Sequence, residues 1–326
     1  MSHWVVTMKI RHISLNHIII FLGFCLPIFF SVVCVWVLTR HTSLQPSFNA
    51  QNTQLTVPTT WQLTEALRNN NSTDFWLSDL IETYFTPNAP FANLFNKTQF
   101  DAIKAKIASQ MTNYALTQTT LSIEQAFLGL IANGYDAMLA SQPSHSTYGI
   151  GFFLALRFLT LNETKGTKII IDTIYRNDDI SLSAYTMLLT HDKHPLTQTE
   201  DIHIAITPFN PKKTISQTGT TISILPILQD RRFSTELLKK IDDYIKPLSP
   251  DLPILITHGM HQEIRGTLAK IHENNAQGDA LSGNIGIEVL LQPERLEICD
   301  KGTGISLETA LTKLLIPWQS TKQTMA

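Results

Sequence analysis

The longest uncharged stretch of the sequence, residues 18–38, limits what this chain can be more than any other feature. It reads IIIFLGFCLPIFFSVVCVWVL and contains no Asp, Glu, Lys or Arg. An α-helix rises about 1.5 Å per residue, so a helix of this length spans a hydrocarbon core about 30 Å thick. A proline such as Pro27 is tolerated better in a membrane-spanning helix than in a soluble one. The sequence therefore predicts an N-terminal tail over residues 1–16 and a transmembrane helix over residues 17–39.

A cleaved signal peptide is the alternative interpretation of this stretch. The apolar region of a signal peptide runs for about 7–15 residues and ends in small residues. Here the apolar run is longer and is followed by Thr39 and Arg40, so we favour an uncleaved, single-pass anchor that contacts membrane lipid through residues 18–38. The side of the membrane stays open. Lys9 and Arg11 before the span weakly favour a cytoplasmic N-terminus, which would place the large domain outside the cell. The single cysteine outside the span, Cys299, allows no disulfide framework and so argues mildly against an extracellular domain.

The rest of the chain divides by composition into three parts. Residues 40–59 are polar with two prolines and predict a tether. Residues 60–116 predict a helical region with helices at 61–67, 74–84 and 99–116. Residues 117–326 then supply a larger domain. The formal net charge of -2 and the pI of about 6.6 indicate no basic face, so nucleic acid is not expected as a partner, and the sequence identifies no protein partner.

Alternating helical and strand patterns define the fold class expected for residues 117–326. A helix begins near Ser122, where Gln125 completes a capping box. Further helices are expected at 233–245, 263–274 and 307–315, and a turn at 300–306 is expected to close the last hairpin. Segments rich in β-branched residues predict strands at 167–172, 181–190, 202–207, 220–226, 252–257, 285–291 and 295–299. This pattern predicts an α/β two-layer sandwich, with a mixed, mostly antiparallel sheet and helices on one face.

Two segments resemble signature boxes of the GHKL ATPases, the Bergerat-fold superfamily of heat-shock-ninety chaperones, sensor histidine kinases and mismatch-repair ATPases. IEQAFLGLIANGYDAM resembles the first box, and the resemblance implies that Asn133 ligates the Mg²⁺ that holds the nucleotide phosphates. ICDKGTGIS resembles the second box. It implies that Asp300 accepts a hydrogen bond from the amino group of adenine, while Gly302 and Gly304 allow the backbone to pass close to the base.

Three further segments extend the resemblance over roughly residues 120–326. YGIGFFLAL resembles the box whose glycines present N–H groups to phosphate, which implies this role for Gly149 and Gly151. TGTTISI resembles the last box and implies that Thr220 supports the adenine contact. LLIPWQSTK resembles a segment that approaches phosphate, here through Ser320 and Lys322. The family resemblance thus implies a Bergerat-like domain with ATP and Mg²⁺ as cofactors.

Two departures from the family pattern weaken the expectation of ATP hydrolysis. The family's general base is a Glu one helical turn before the magnesium Asn, and Gly129 occupies that position. Glu124 lies about half a helical circumference away from Asn133 and so points elsewhere. A general base contributes about 10²–10⁴-fold to a rate. Hydrolysis is therefore expected to be slow or absent, and a catalytically inactive pseudo-ATPase that acts as a tethered interaction module is the alternative function.

The order of the boxes is the second departure. The boxes of Asn133 and Gly149 are adjacent in the sequence, and the Asp300 box follows at the C-terminus, whereas in the family the Asp box lies between them. We favour one rearranged domain over residues 117–326. The alternative is two partial modules, 117–257 and 258–326, the second with Asn275 as its own magnesium ligand.

A weak similarity of HQEIRGTL to a phosphoacceptor motif also suggests a histidine-kinase-like relic. A histidine on the surface of a helix remains the favoured interpretation of His261.

Overall fold

The computed structural model describes residues 57–85, 96–118, 121–138, 151–209, 218–245, 254–259, 261–265, 287–317 and 319. The chain divides into two units, residues 1–54 and 55–326, and every described residue belongs to the second. The predicted transmembrane helix and most of the predicted tether lie outside the described residues. Within the described ranges, no helix is both long enough and apolar enough to cross a membrane.

A nine-stranded mixed sheet forms the centre of the second unit. The strands are β1 (Thr73–Trp76), β2 (Thr167–Arg176), β3 (Leu182–Lys193), β4 (Glu200–Pro208), β5 (Gly219–Pro226), β6 (Ile254–His258), β7 (His261–Arg265), β8 (Ile287–Gln292) and β9 (Arg295–Asp300). Their order in the sheet is β1-β4-β3-β2-β5-β9-β8-β6-β7. Only β6 and β8 pair in parallel; the other neighbours are antiparallel. Because β5 pairs with β9, strands from both halves of the 117–326 region share one sheet.

Helices pack against this sheet and share its hydrophobic core. They are α1 (Thr60–Arg68), α2 (Leu77–Tyr84), α3 (Lys97–Thr117), α4 (Ile123–Met138), α5 (Gly151–Ala155), α6 (Thr235–Ile245) and α7 (Leu307–Thr309). Two 3₁₀ turns, Leu156–Thr160 and Asn162–Thr164, follow α5, and a π-helical turn, Ala310–Leu314, follows α7. The predicted α/β class, with a mixed and mostly antiparallel sheet, is confirmed.

The sheet buries one face against the helices, as the alternation of its side chains indicates. Along β9, Leu296, Ile298 and Asp300 are buried, and the residues between them are partly exposed. The strands β2, β4, β5 and β8 show similar alternation, and their buried apolar side chains form one cluster with those of the helices. Alternation of this kind is typical of an antiparallel sheet that packs on one face.

Capping boxes stabilise the starts of three of the helices. At α4, Gln125 N donates to Ser122 Oγ and Ser122 N donates to Gln125 Oε1, each at 3.1 Å. This confirms the predicted capping box. Thr59 and Asn96 are the N-cap residues of α1 and α3 and form equivalent capping boxes. Each box satisfies N–H groups that the first helical turn leaves without a partner.

Three local predictions were wrong, each because strand pairing or turn geometry decides the conformation. The segment 74–84 was expected to be all helix, but its start forms β1, which pairs with β4. Of the helix expected at 263–274, residues 263–265 belong instead to β7, an edge strand paired with β6, and residues 266–274 lie outside the described residues. The turn at Pro293 and Glu294 closes the β8–β9 hairpin. Residues 301–306, which were expected to close it, instead connect β9 to α7. Pairing with a neighbouring strand overrides weak local preferences.

Candidate functional site

The end of β9 places Asp300 directly opposite Thr220, near the start of β5. The two residues are Cα partners in the antiparallel register, so both side chains point to the same face of the sheet. That face is the one covered by helices, and the two residues are only 5% and 3% exposed. The structure therefore brings together two predicted site residues that are far apart in the sequence.

The Asp300 carboxylate is buried and has no cation beside it among the contacts described. Burial raises its pKa to about 7, while hydrogen bonds from the N–H groups of Gly302 and Thr220 act in the opposite direction. The Gly302 N–H donates to Asp300 Oδ1 at 2.9 Å. The neighbouring Lys301 is directed to Glu288 of β8, with Nζ 3.0 Å from Oε1. Among the contacts described, the carboxylate is thus held by backbone donors alone.

A third polar side chain, Thr173 of β2, completes a buried row across three neighbouring strands. Thr173 is the register partner of Thr220, and their Oγ1 atoms are 3.2 Å apart. The row Thr173–Thr220–Asp300 interrupts a face that is otherwise mainly Ile and Leu. Sequence reasoning missed Thr173. Its signal was present, since Thr173 falls in phase with the buried Ile169 and Ile171.

The loop after β9 is fixed to the sheet through Ile305. Its N–H donates to Thr173 Oγ1 at 2.8 Å, and its carbonyl accepts from the hydroxyl of Tyr185, in β3, at 3.0 Å. Tyr185 is fully buried, and burial raises its pKa, so the hydroxyl keeps its proton. Both backbone hydrogen-bonding groups of Ile305 are therefore satisfied by side chains of β2 and β3.

Glycine at positions 304 and 219 allows this loop to approach the neighbouring strands. Gly304 has φ +73°, and a Cβ there would lie 2.0 Å from the carbonyl oxygen of Ile174 in β2. A Cβ on Gly219 would lie 2.4 Å from the carbonyl oxygen of Asp300. The structure thus gives Gly304 a packing role against β2, while the expected contact with a base stays a prediction.

The helix that carries Asn133, α4, packs on β8 and β9, the strands of the Asp300 hairpin. The side chain of Asn133 lies outside the described residues. Gly129, one turn earlier, faces the start of α5: a Cβ there would be 3.3 Å from the carbonyl oxygen of Gly151. A side chain at the position where the resemblance expects a general base would therefore crowd the backbone of α5. The pKa of Lys240 in α6 is raised by Glu236 and, to a smaller extent, by Glu124.

The remaining predicted site residues are only partly within the described structure. Gly151 opens α5, as expected, but this helix has five residues and continues as a 3₁₀ turn. Gly149, Ser320, Lys322 and Asn275 lie outside the described residues. In the part of the chain that is described, no three His, Cys, Asp or Glu side chains are grouped to hold a metal ion.

The histidine that resembled a phosphoacceptor is not on a helix. His261 is the first residue of β7 and pairs with His258 of β6. The favoured interpretation, a histidine on a helix surface, was therefore wrong. The comparison with a histidine-kinase acceptor helix loses its structural basis as well.

Comparisons with known proteins give no match: no family model, no curated protein and no solved structure matches this chain.

Proposed function

We propose that the folded unit of this membrane-anchored chain binds an adenine nucleotide with Mg²⁺ in a GHKL-like site and hydrolyses it slowly or not at all. In this proposal Asp300 accepts a hydrogen bond from the amino group of adenine and Thr220 supports that contact. Asn133 ligates Mg²⁺, which supplies positive charge to the phosphates. The glycine segment at 149–151 and Lys322 contact the phosphates, and residues 18–38 anchor the chain in lipid.

The observation that carries this proposal is the pairing of Thr220 with Asp300. The resemblance requires the threonine of the last box and the carboxylate of the second box to share one adenine site. In this chain the threonine segment precedes the aspartate segment, the reverse of the family's order, and this put a shared adenine site in doubt. Direct pairing of β5 with β9 supports a single rearranged domain over residues 117–326, because two separate modules do not need this contact.

A buried carboxylate without a paired cation supports a role in binding. Burying such a group is unfavourable unless it is well hydrogen-bonded or becomes neutral. Functional sites are where such perturbed groups are concentrated. Asp300 accepts from two backbone N–H groups, so its ionised carboxylate retains lone pairs for the N–H of an exocyclic amine.

Isothermal titration calorimetry of the full-length chain in detergent, with ATP and Mg²⁺, tests this proposal. We expect a dissociation constant in the micromolar to millimolar range. Asp300→Asn replaces one acceptor oxygen with a donor amide and is expected to abolish the binding heat. Asp172→Asn is the matched control, since Asp172 lies on the other face of the sheet and bonds to Thr186. Absence of binding heat with the wild-type chain would remove the proposal.

The second candidate function is a catalytically inactive interaction module. It is favoured by the glycine at position 129, where the resemblance expects a catalytic glutamate. Glycine supplies no group that activates water, and such a group contributes about 10²–10⁴-fold to hydrolysis. A side chain here would also crowd the Gly151 backbone, whose carbonyl oxygen is 3.3 Å from an added Cβ. Thermal melting separates the two candidates, because a ligand stabilises the folded state to which it binds. An unchanged melting temperature at millimolar ATP–Mg²⁺ favours the interaction module, and a concentration-dependent rise favours nucleotide binding.

A further inference from the structure

Thr173 lies at the centre of the hydrogen bonds that join β2, β5 and the loop after β9. Its hydroxyl accepts from the Ile305 N–H at 2.8 Å, is 3.2 Å from Thr220 Oγ1 and is 3.3 Å from the carbonyl oxygen of Gly219. The side chain is 1% exposed. One hydroxyl thus contacts three separate groups, two of them beside Asp300.

Counting protons and lone pairs limits these bonds to a few arrangements, and one of them satisfies all three contacts at once. A threonine hydroxyl has one proton to donate and two lone pairs that accept. The Ile305 N–H occupies one lone pair of Thr173. The Gly219 carbonyl can only accept, and in this arrangement it takes the proton of Thr173. The second lone pair of Thr173 is then left for the Thr220 hydroxyl, which donates its own proton.

In this arrangement the Thr220 hydroxyl can act only as a hydrogen-bond acceptor toward the site. Its proton is directed at Thr173, so only lone pairs remain for a ligand or a bridging water. An ionised Asp300 beside it is also an acceptor only. A ligand that meets both groups must therefore bring N–H or O–H donors, as an amino-substituted base or a water bound to it does.

We propose that Thr173 is a positioning residue for the nucleotide site, which orients the Thr220 hydroxyl so that it accepts from the ligand. The inference rests on the proposed nucleotide-binding function and adds a residue that the resemblance to the GHKL family does not assign. Thr173 itself touches no ligand in this account. Its influence on affinity passes through Thr220.

Thr173→Val tests the role, because valine has nearly the same shape and lacks the hydroxyl. We expect the affinity for ATP–Mg²⁺ to fall about tenfold, since the Thr220 hydroxyl is free to rotate and to present its proton to the ligand. Thr173→Ser retains the hydroxyl and is expected to bind within about twofold of the wild type. If the valine variant does not fold, Thr173→Cys replaces it, because a thiol is only a weak donor and acceptor.

Tyr185→Phe separates positioning from simple loop anchoring. It removes the other side-chain contact to Ile305 and has no described contact with Thr220. If Thr173 only holds the loop, both variants should weaken binding equally. We expect Tyr185→Phe to lower the melting temperature while binding changes less than twofold.

A double-mutant cycle with Thr220→Val completes the experiment on the full-length chain, with calorimetry at a temperature where circular dichroism shows every variant folded. If Thr173 acts through Thr220, the double variant binds as Thr220→Val does alone. If the two losses in affinity multiply, or if Thr173→Val binds like the wild type, this inference is wrong while nucleotide binding stands. If the wild-type chain binds no ATP, both the proposed function and this inference are overturned.

Discussion

Thr220 lies directly opposite Asp300, 80 residues later in the sequence, on the buried face of one sheet. The hydroxyl of Thr173 joins the same row from the next strand. Three neighbouring strands therefore contribute polar side chains at one level of a core that is otherwise apolar. Within this row the threonine hydroxyls are hydrogen-bonded, and the costly member is the buried Asp300 carboxylate, which has no cation beside it among the contacts described.

Stability is expected to fall as the pH rises from about 4 to about 7 because of Asp300. The pKa of this group is about 7 in the folded protein, against an ordinary value of 3.8, so the folded state binds the proton more tightly than the unfolded chain. Between these values the free energy of unfolding decreases by about 1.4 kcal/mol per pH unit from this group, and above pH 7 its contribution is constant.

Chemical denaturation of the wild type and of Asp300→Asn, without nucleotide, measures this effect. Asparagine does not titrate, so the variant is expected to equal the wild type near pH 4 and to exceed it at pH 8 by an amount on the order of 4 kcal/mol or less. A difference between the two proteins that does not change with pH would show that Asp300 is ionised throughout.

Gly304→Ala is expected to lower the free energy of unfolding by about 2–4 kcal/mol. The added Cβ would lie 2.0 Å from the Ile174 carbonyl oxygen at a backbone φ of +73°. Gly259→Ala is the matched control, since Gly259 has φ +58° and open space around it. We expect a loss of about 1 kcal/mol there. Equal losses in urea denaturation would show that backbone strain, and not the close approach to β2, determines the effect.

Gly129→Glu is not expected to create an ATPase. The new side chain would crowd the Gly151 backbone, whose carbonyl oxygen is 3.3 Å from an added Cβ, so the two segments would have to move apart slightly. We expect no increase in phosphate release and a loss of about 1–3 kcal/mol in the free energy of unfolding. Phosphate release and thermal melting are measured on the same preparation. A gain in turnover would mean that α5 moves away from α4 and opens a place for the carboxylate.

Ile180→Asn is expected to stabilise the protein by about 1 kcal/mol. Ile180 lies at the tip of the β2–β3 hairpin with φ +71° and is 70% exposed. A β-branched residue is unfavourable in this left-handed conformation, which asparagine tolerates. Leu182→Asn is the control, because Leu182 is also exposed but is not among the residues with positive φ. If the Ile180 variant is no more stable than the wild type in urea, the side chain contributes a contact that offsets the strain.

Local patterns in the sequence were enough to predict most of the regular structure. β-Branched runs gave the central strands, and Ser122 with Gln125 gave the start of α4, because these signals arise from neighbours along the chain. The edges failed. Residues 73–76 and 261–265 form strands only because β4 and β6 offer unpaired backbone groups, and no residue within either segment encodes that neighbour.

The sequence by itself determined the apolar segment at 18–38, the alternating strands and the identity of Asp300 and Thr220 as candidate site residues. Only the tertiary structure decided that β5 pairs with β9, that Thr173 contacts Thr220 and that the backbone of Gly151 lies close to Gly129. These three contacts join residues distant in sequence. Hydrophobic alternation specifies which face of a strand is buried, but not which strand lies beside it.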